Sequence, residues 1–259
     1  MTGSVDGRLV PAPRGPLRVP AAAPAKDALR LSIVIPTFNE ARNVEPLVRE
    51  LTQLLEPRLG AGFELIVVDD DSPDGTWQAA LALSAHHPRL RVVRRRGERG
   101  LATAVVRGWQ VARGEVLGVM DGDLQHPSEV NLELLSAIEA GADLAVASRH
   151  VAGGGVSDWR LRRRVLSRGA QLLGLTLAPG VFSQLSDPLS GYFMLRRSLL
   201  ADVTLSPLGY KILVEVIGRT RPRQLTEVGY VFRERNEEQS KVTWRVYVDF
   251  VRQLARLRG

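Results

Sequence analysis

Two aspartates separated by one glycine are the clearest candidates for chemistry in this chain. Asp121 and Asp123 follow an apolar run of strand length, residues 115–120. Extended backbone turns both carboxylates the same way, which suits a divalent ion that also binds diphosphate oxygens. Gln125 adds a neutral oxygen ligand two positions further along. The alternative interpretation is a solvated turn or a helix cap, where aspartate is common.

A second acidic cluster, Asp69-Asp70-Asp71, follows the apolar run 63–68. Carboxylates at such a position can accept hydrogen bonds from a base and from ribose hydroxyls. We assign Asp70 to a nucleotide. Asp74 is interpreted as structural, a cap of the helix that contains Trp77, and capping is also the alternative for the whole cluster.

The elements that carry these side chains alternate between strand and helix. Apolar runs of strand length occupy residues 31–35, 63–68, 90–93, 115–120 and 143–147, and helical periodicity occupies 41–55, 75–86 and 101–112. This alternation predicts an α/β fold with a mostly parallel sheet flanked by helices. Ligands of such sheets bind beyond the carboxyl ends of the strands, where both acidic clusters are expected.

Length and composition narrow the class of protein. The chain has 259 residues, 44% of them hydrophobic and 24% charged, which is ordinary for one large globular domain. It has no cysteine, so disulfides, thiolate metal sites and cysteine nucleophiles are excluded. We predict that this domain covers residues 30–241. Residues 1–29 contain five prolines and no apolar period, which predicts a disordered leader.

The net charge of +7 favours a polyanionic partner: a nucleic acid, a phosphate-bearing substrate or an anionic membrane surface. Aromatic residues make up only 5% and do not interleave with the arginines, which disfavours nucleic acid. Residues 159–177 and 242–259 are basic and amphipathic. In the second segment Trp244, Tyr247, Val251 and Leu254 share a face, which indicates a helix at a membrane interface or one packed on the core.

Several motifs in one order resemble glycosyltransferase family two, and within it the dolichyl- or polyprenyl-phosphate mannosyltransferases. They are residues 31–40, 69–76, 121–129, 147–149, 187–192, 209–215 and 240–241. The resemblance implies a GT-A fold, the fold of nucleotide-diphospho-sugar transferases. It also implies inverting transfer of mannose from GDP-mannose to dolichyl or polyprenyl phosphate, and dependence on Mg²⁺ or Mn²⁺.

The same resemblance implies roles for individual residues. Donor contacts are implied at Pro36, Phe38, Glu40, Val68, Asp70, Gly122, Asp123, Gln125, Arg149, Lys211, Arg235 and Lys241. Acceptor-phosphate contacts are implied at Arg149, Arg163, Ser167 and Arg235. Metal ligands are implied at Asp121, Asp123 and Gln125, and catalytic roles at Asp123, Arg149 and Arg235. For each cation the alternative is a solvated surface charge.

The chain departs from the family pattern at two points. The family usually has a glycine shortly before Ser240-Lys241, where this chain has Glu237-Glu238-Gln239, so we expect the loop that carries Arg235 and Lys241 to differ in shape or order from the family pattern. Many relatives continue into transmembrane helices, and no apolar run here reaches 18 residues. We expect a peripheral protein at the cytoplasmic face of a membrane, or a truncated one, with a membrane-anchoring partner subunit as a further option.

His126 adjoins the acidic pair and is interpreted as structural. The acceptor implied by the resemblance is a phosphate monoester, which is already ionised at neutral pH, so its attack requires no general base. Three rival functions remain. They are a polyprenyl-phosphate glucosyltransferase that uses a UDP-sugar, a non-catalytic binder of sugar nucleotides or anionic lipid, and a nucleic-acid protein.

Overall fold

The computed structural model describes residues 8–21, 28–156, 174, 176, 178–233 and 251–256. The strands are β1 (Leu9–Pro11), β2 (Leu17–Arg18), β3 (Leu29–Thr37), β4 (Phe63–Asp69), β5 (Leu90–Arg94), β6 (Gly114–Val119), β7 (Leu144–Ser148), β8 (Gly155–Val156), β9 (Phe193–Arg196), β10 (Thr204–Leu205), β11 (Leu225–Gly229) and β12 (Val231–Phe232). The α-helices are α1 (Ala41–Leu59), α2 (Thr76–Leu83), α3 (Leu101–Val111), α4 (Val130–Glu139), α5 (Pro179–Phe182) and α6 (Ile212–Thr220). Arg197–Leu200 form a 3-10 helix, and residues 251–256 are helical.

Eight of these strands form one sheet in the order β1-β5-β4-β3-β6-β9-β7-β11. Neighbouring strands are parallel except at β9, which runs antiparallel between β6 and β7. The parallel strands therefore end at one edge of the sheet, the carboxyl edge. Because β9 is reversed, the loop that leads into it reaches the same edge. Small two-stranded sheets join β2 to β10 and β8 to β12.

The central strands are buried on both faces. All seven residues of β4 are buried, and alternate residues face opposite cores. Val34 and Ile66 belong to the core that includes Trp109 of α3, whereas Ile33 and Leu65 belong to the core that includes Leu51 of α1. This two-sided burial explains why these strands appear in the sequence as continuous apolar runs.

The predicted mostly parallel α/β fold is confirmed. The five predicted strands correspond to β3 to β7, and the three predicted helices to α1 to α3. The sequence did not predict the antiparallel strand β9. Its four residues follow the one-turn helix α5 and the loop 183–192, outside the strand–helix alternation of the predicted elements, so that alternation indicates neither its existence nor its direction.

The prediction of a disordered leader over residues 1–29 is wrong for residues 8–21. Within this segment β1 adds a parallel strand beside β5, and β2 pairs with β10. The side-chain amide of Gln110 donates to the carbonyl oxygens of Pro16 and Arg18, both at 2.9 Å. Proline is tolerated in an edge strand, and composition does not show that the open edge of β5 supplies partners.

The predicted C-terminal interface helix packs at least partly on the core. In the described part, residues 251–256, Leu254 is fully buried, and the Gln253 amide donates to the Lys211 carbonyl at 3.3 Å. Val251 is 40% exposed. The rest of the predicted segment 242–259 lies outside the described residues, as does nearly all of 159–177. Among the described residues, no helix has the length and apolar character needed to cross a bilayer.

Candidate active site

Three strands that end at the carboxyl edge are each followed by a sharp turn with a left-handed residue. These residues are Asn39 after β3, Asp71 after β4 and Leu124 after β6, with φ of 59°, 56° and 60°. Asparagine and aspartate tolerate this conformation, but leucine rarely adopts it. The strained position therefore lies between the predicted ligands Asp123 and Gln125.

Hydrogen bonds fix the turn that carries the acidic pair. The backbone N–H of Gln125 donates to Asp123 Oδ1 at 3.1 Å, and its side-chain Nε2 donates to the carbonyl of Arg233 at 3.0 Å. The backbone N–H of Arg233 returns a bond to the Gln125 carbonyl at 3.0 Å. Because Nε2 is bound to Arg233, the amide oxygen of Gln125 has a fixed orientation. Asp121 Oδ1 is buried and accepts no hydrogen bond within the described part of the chain.

Two glycines allow close approach to the acidic pair. A Cβ atom on Gly191, in the loop before β9, would lie 3.3 Å from Asp121 Oδ2. A Cβ atom on Gly122 would lie 3.0 Å from Cγ2 of Thr37 in β3. Larger residues at these positions would push the Asp121 carboxylate and the turn away from their neighbours.

His126 is packed in an aromatic cluster beside the acidic pair. Its Nε2 lies 3.4 Å from Asp121 Oδ2, and the residue is 5% exposed. Its ring centroid lies 5.0, 5.5 and 5.3 Å from those of Tyr192, Tyr230 and Phe232. This environment agrees with the interpretation of His126 as structural.

Arg149, the first residue after β7, forms a two-point ion pair with Asp187. Its Nε and Nη2 donate to Asp187 Oδ2 and Oδ1 at 2.6 and 2.8 Å, and its backbone N–H donates to Oδ2 at 3.2 Å. Burial alone would raise the pKa of Asp187, but the hydrogen bonds and charge of Arg149 bring it below its ordinary value. Conversely, Asp187 raises the pKa of Arg149 against the effect of burial. Both groups are therefore ionised at neutral pH.

Asp187 is itself held by Glu227, the central residue of β11. The backbone N–H and hydroxyl of Ser186 donate to Glu227 Oε2 and Oε1 at 2.9 and 2.7 Å. The backbone N–H of Asp187 donates to Oε1 at 3.2 Å. One carboxylate of an edge strand thus fixes the loop that carries the partner of Arg149.

A second cation, Lys211, lies directly before α6. Its ammonium group donates to the carbonyl of Leu189 at 2.7 Å. Burial lowers its pKa to about 8, and the positive charge of Arg149 acts in the same direction, while Asp187 and Asp121 oppose them. Lys211 therefore interacts electrostatically with the Arg149–Asp187 ion pair and with Asp121.

The charges of the acidic pair and of the Arg149–Asp187 ion pair all affect the pKa of Tyr230. Burial raises the pKa of its phenol; Arg149 opposes this shift, and Asp187, Asp121 and Asp123 add to it. These four charged groups act on one side chain, so they belong to one site at the carboxyl edge.

Asp70, predicted to contact a nucleotide, is bonded within the protein. Its Oδ1 accepts from Arg95 Nε at 2.6 Å, and its Oδ2 accepts from the N–H of Gly100 at 2.8 Å. Burial raises its pKa, although Arg95 and Gly100 oppose the shift. Both carboxylate oxygens thus hold the segment 95–100 against the ends of β4 and β5.

The other predicted donor contacts lie near the ends of β3 and β4. Phe38 stacks under the guanidinium of Arg99 at 4.9 Å from its ring centroid. Glu40 precedes α1, and its carboxylate accepts from Asn43 Nδ2 at 2.6 Å. Pro36 is buried within β3. Val68 is fully buried in the core, so its side chain offers no surface to a ligand.

Asp74 has the structural role predicted for it. Its Oδ1 accepts from the backbone N–H of Thr76, the first residue of α2, at 3.0 Å. Its Oδ2 accepts from the N–H of Ala41, the first residue of α1, at 3.1 Å. The carboxylate therefore joins the starts of two helices, although Gly75 occupies the capping position itself.

The structure brings part of the predicted site together. The acidic pair, Gln125, Arg149 and Lys211 lie at the same edge, whereas Arg163, Ser167, Arg235 and Lys241 lie outside the described residues. Sequence reasoning gave no role to Asp187 and did not identify Glu227. The one available signal was a single carboxylate within the strand-like segment Leu225–Gly229.

Solved structures define the class of fold. The chain is similar to glucosyl-3-phosphoglycerate synthase of Mycobacterium tuberculosis, with a TM-score of 0.65 and 21% identity, over 90% of this chain and 80% of that one. It is also similar to mannosyl-3-phosphoglycerate synthase from Rubrobacter xylanophilus, with a TM-score of 0.65 and 24% identity, over 88% and 73% of the two chains. The fold is therefore the GT-A fold of glycosyltransferases.

Sequence comparison identifies the family within that class. Residues 32–204 match the family model described as Glycosyl transferase family 2. The chain is 40% identical to a dolichol-phosphate mannosyltransferase of Pyrococcus furiosus over 88% of this chain and 64% of that one, so it spans less than two thirds of that relative. It is 33% identical to that of Saccharomyces cerevisiae (89% and 87%) and 36% identical to a polyprenol monophosphomannose synthase of Mycolicibacterium smegmatis (85% and 84%). The chain belongs to glycosyltransferase family 2.

Proposed function

We propose that the protein transfers mannose from GDP-mannose to the phosphate of dolichol or another polyprenol, which yields a polyprenyl-phosphate mannose. The names of the relatives support the substrates. The observation that carries the proposal is that one loop, residues 187–191, contacts all three charged groups: Asp187 binds Arg149, the carbonyl of Leu189 accepts from Lys211, and Gly191 lies beside Asp121. Such a site can receive two phosphate-bearing substrates together with a cation.

The residues at the acidic turn fit a divalent ion. Asp121 has a buried carboxylate oxygen that the described residues leave without a hydrogen-bond donor, and the amide oxygen of Gln125 is held in place. Carboxylate and amide oxygens are the ligands that Mg²⁺ prefers. The described residues contain no cluster of three or more His, Cys, Asp or Glu side chains arranged for a metal, so diphosphate oxygens would complete the coordination. An ion held there would neutralise the charge of the diphosphate leaving group.

The cations at this edge receive the acceptor phosphate. Two like charges about 4 Å apart repel by roughly 4 kcal/mol at an effective dielectric constant near 20, so donor and acceptor require positive charge between them. Arg149 offers directed N–H groups, and Lys211 offers a compact charge. Arg163, Ser167, Arg235 and Lys241 are proposed to add to this set on the strength of the family resemblance.

The reaction is one displacement at the anomeric carbon. An oxygen of the acceptor phosphate forms the new bond as the bond from the anomeric carbon to the diphosphate oxygen breaks, and the diphosphate leaves with the electron pair. Configuration at that carbon inverts. Since the acceptor is already ionised at neutral pH, no enzyme base is needed, and His126 keeps its packing role beside Asp121.

We also propose that the protein works at the surface of a membrane, peripherally and at its cytoplasmic face. Each CH₂ of a prenyl chain costs roughly 0.8 kcal/mol to move into water, so the enzyme has to meet the lipid phosphate at the bilayer surface. We propose that the basic segments 159–177 and 242–259 provide this association, with or without an anchoring partner subunit.

The test is transfer of labelled mannose from GDP-mannose to a polyprenyl phosphate, measured in the organic phase after extraction. Asp123→Ala should abolish transfer. Asp143→Asn, a carboxylate change directly before β7 at the opposite edge of the sheet, should not. Transfer only from a UDP-sugar would establish the glucosyl alternative. Binding of GDP-mannose without transfer to any polyprenyl phosphate would contradict the proposed enzyme.

A further inference from the structure

We propose that Asp187 is a positioning residue that holds the guanidinium of Arg149 in the orientation required to bind phosphate, and that Glu227 holds Asp187 in turn. This inference rests on the proposed function, because Arg149 is assigned there to the phosphate. It gives roles to a buried carboxylate, Asp187, and a half-buried one, Glu227, that the proposed reaction does not otherwise use.

The contact between Asp187 and Arg149 determines the orientation of a side chain that is otherwise adaptable. A two-point bond through Nε and Nη2 fixes the plane of the guanidinium and occupies two of its five N–H groups. The same carboxylate accepts the backbone N–H of Arg149, so both ends of the residue are fixed to one group. The Arg149 side chain is 12% exposed and that of Asp187 only 2%, so water competes weakly for these bonds.

The position of Asp187 is in turn fixed by the sheet. Glu227 accepts three hydrogen bonds from Ser186 and Asp187. Strand β11, which carries Glu227, pairs in parallel with β7, and Glu227 lies opposite Val146, three residues before Arg149. Asp187 and Glu227 therefore link the edge strand β11 to Arg149, which follows the neighbouring strand β7.

Phosphate binding at this site has two contributions, oriented N–H groups and net positive charge, and they come from different residues. The Arg149–Asp187 pair has no net charge, so it offers oriented N–H groups more than long-range attraction. Lys211, held by the Leu189 carbonyl, supplies the net positive charge beside it. Loss of Asp187 should thus leave the positive charge of the site intact or increased while Arg149 loses its orientation. The inference predicts impaired use of phosphate despite the more positive site.

The experiment compares Asp187→Asn, Asp187→Glu and Glu227→Gln with Glu64→Gln as a matched control. Glu64 is a fully buried carboxylate in β4, paired with Arg91 and Arg113 near the amino end of the strand, away from the site. A misplaced catalytic contact can cost about 100-fold, so we expect Asp187→Asn to lower kcat by roughly that factor. The KM for GDP-mannose should change less than about threefold. Asp187→Glu should restore part of kcat, and Glu64→Gln should lower the Tm without lowering kcat.

A double-mutant cycle tests whether Asp187 acts through Arg149. Arg149→Lys should lower kcat strongly in the wild-type background and less than about threefold in the Asp187→Asn background, because the orientation is already lost there. Equal losses in both backgrounds would show that Asp187 acts by another route. If Asp187→Asn does not fold, Glu227→Gln provides the same comparison, and an unchanged kcat in that variant would overturn the inference.

A binding measurement separates this inference from the proposed function. Titration of the full chain with farnesyl phosphate reports on the phosphate site without any sugar transfer. Weaker binding by Asp187→Asn than by Glu64→Gln supports the positioning role even if mannose is not transferred. Equal binding by wild type and Asp187→Asn would refute the positioning role even if mannose is transferred.

Discussion

The ammonium group of Lys211 donates a hydrogen bond to the carbonyl of Leu189 at 2.7 Å, and this bond ties the start of α6 to the loop before β9. The same loop carries Asp187 and Gly191, so a cation, the partner of Arg149 and the glycine beside Asp121 belong to one structural unit. A ligand that binds the cation therefore acts on the loop that shapes the acidic site.

Transfer activity should fall as the pH rises through about 8. Burial lowers the pKa of Lys211 to about 8, so its charge is lost above that value and the attraction for phosphate is lost with it. Lys211→Arg should move the decline to higher pH, since arginine stays protonated. The measurement is kcat/KM from pH 6.5 to 9.5, and identical profiles for wild type and Lys211→Arg would contradict the role of Lys211.

The ionisation of Lys211 should affect stability in the direction opposite to activity: stability should rise as the pH rises. The pKa of Lys211 in the folded chain lies below its ordinary value of 10.5, so the unfolded chain binds more protons between about pH 8 and 10.5. The contribution of Lys211 to the free energy of unfolding should therefore rise with pH across that window. Comparison of wild type with Lys211→Met by denaturant unfolding at pH 7.5 and 10 isolates this contribution.

The elements that could be predicted from the sequence are those whose pattern lies within one short stretch of residues. The apolar runs of β3 and β4 lie in single stretches because both faces of these strands are buried. Strand β1 escaped prediction because its partner, β5, lies some eighty residues away in sequence and because its own three residues, Leu9, Val10 and Pro11, are too few to show a strand period.

The candidate site shows the same limit. Asp121 and Asp123 are recognisable because they stand two residues apart directly after an apolar run of strand length. Asp187 and Glu227 each form their decisive bonds with residues about forty positions away, so nothing near them in the sequence marks their role. Asp70 shows the reverse case: its place at a strand end suggested a ligand, and the structure bonds it to Arg95 and Gly100.

Metal dependence should be sensitive to the space around Asp121. EDTA should abolish transfer, and Mn²⁺ should restore it. Gly191→Ala places a Cβ atom about 3.3 Å from Asp121 Oδ2, so it should raise the Mn²⁺ concentration needed for half-maximal activity. Gly180→Ala, in α5 with no atom within 4 Å of the new Cβ, is the matched control and should leave that concentration unchanged. Full activity in EDTA would contradict the metal assignment.

The N-terminal strand should stabilise the catalytic domain. Deletion of residues 1–21 removes β1 from the edge of β5 and two hydrogen bonds of Gln110, each worth about 1 kcal/mol. We expect a lower free energy of unfolding and aggregation through the exposed strand edge, measured by denaturant unfolding and light scattering. Deletion of residues 1–7 alone should have little effect. Equal stability of both truncated chains would show that β1 contributes nothing to the fold.

Substitutions at two apolar residues of the C-terminal segment should distinguish its packing on the core from its association with a membrane. Leu254 is fully buried and Val251 is 40% exposed, although both were predicted to share one apolar face. Leu254→Ala should lower the free energy of unfolding by about 2–5 kcal/mol, as truncation of other buried leucines does.

Val251→Asp should leave the Tm nearly unchanged and reduce flotation with anionic liposomes, because it adds a negative charge and removes an exposed apolar group at the proposed interface. Wild-type binding should fall with salt. If the wild type floats with liposomes and Val251→Asp floats equally well, the exposed side of residues 251–256 does not face the bilayer, and segment 159–177 becomes the remaining candidate in this chain for the membrane contact.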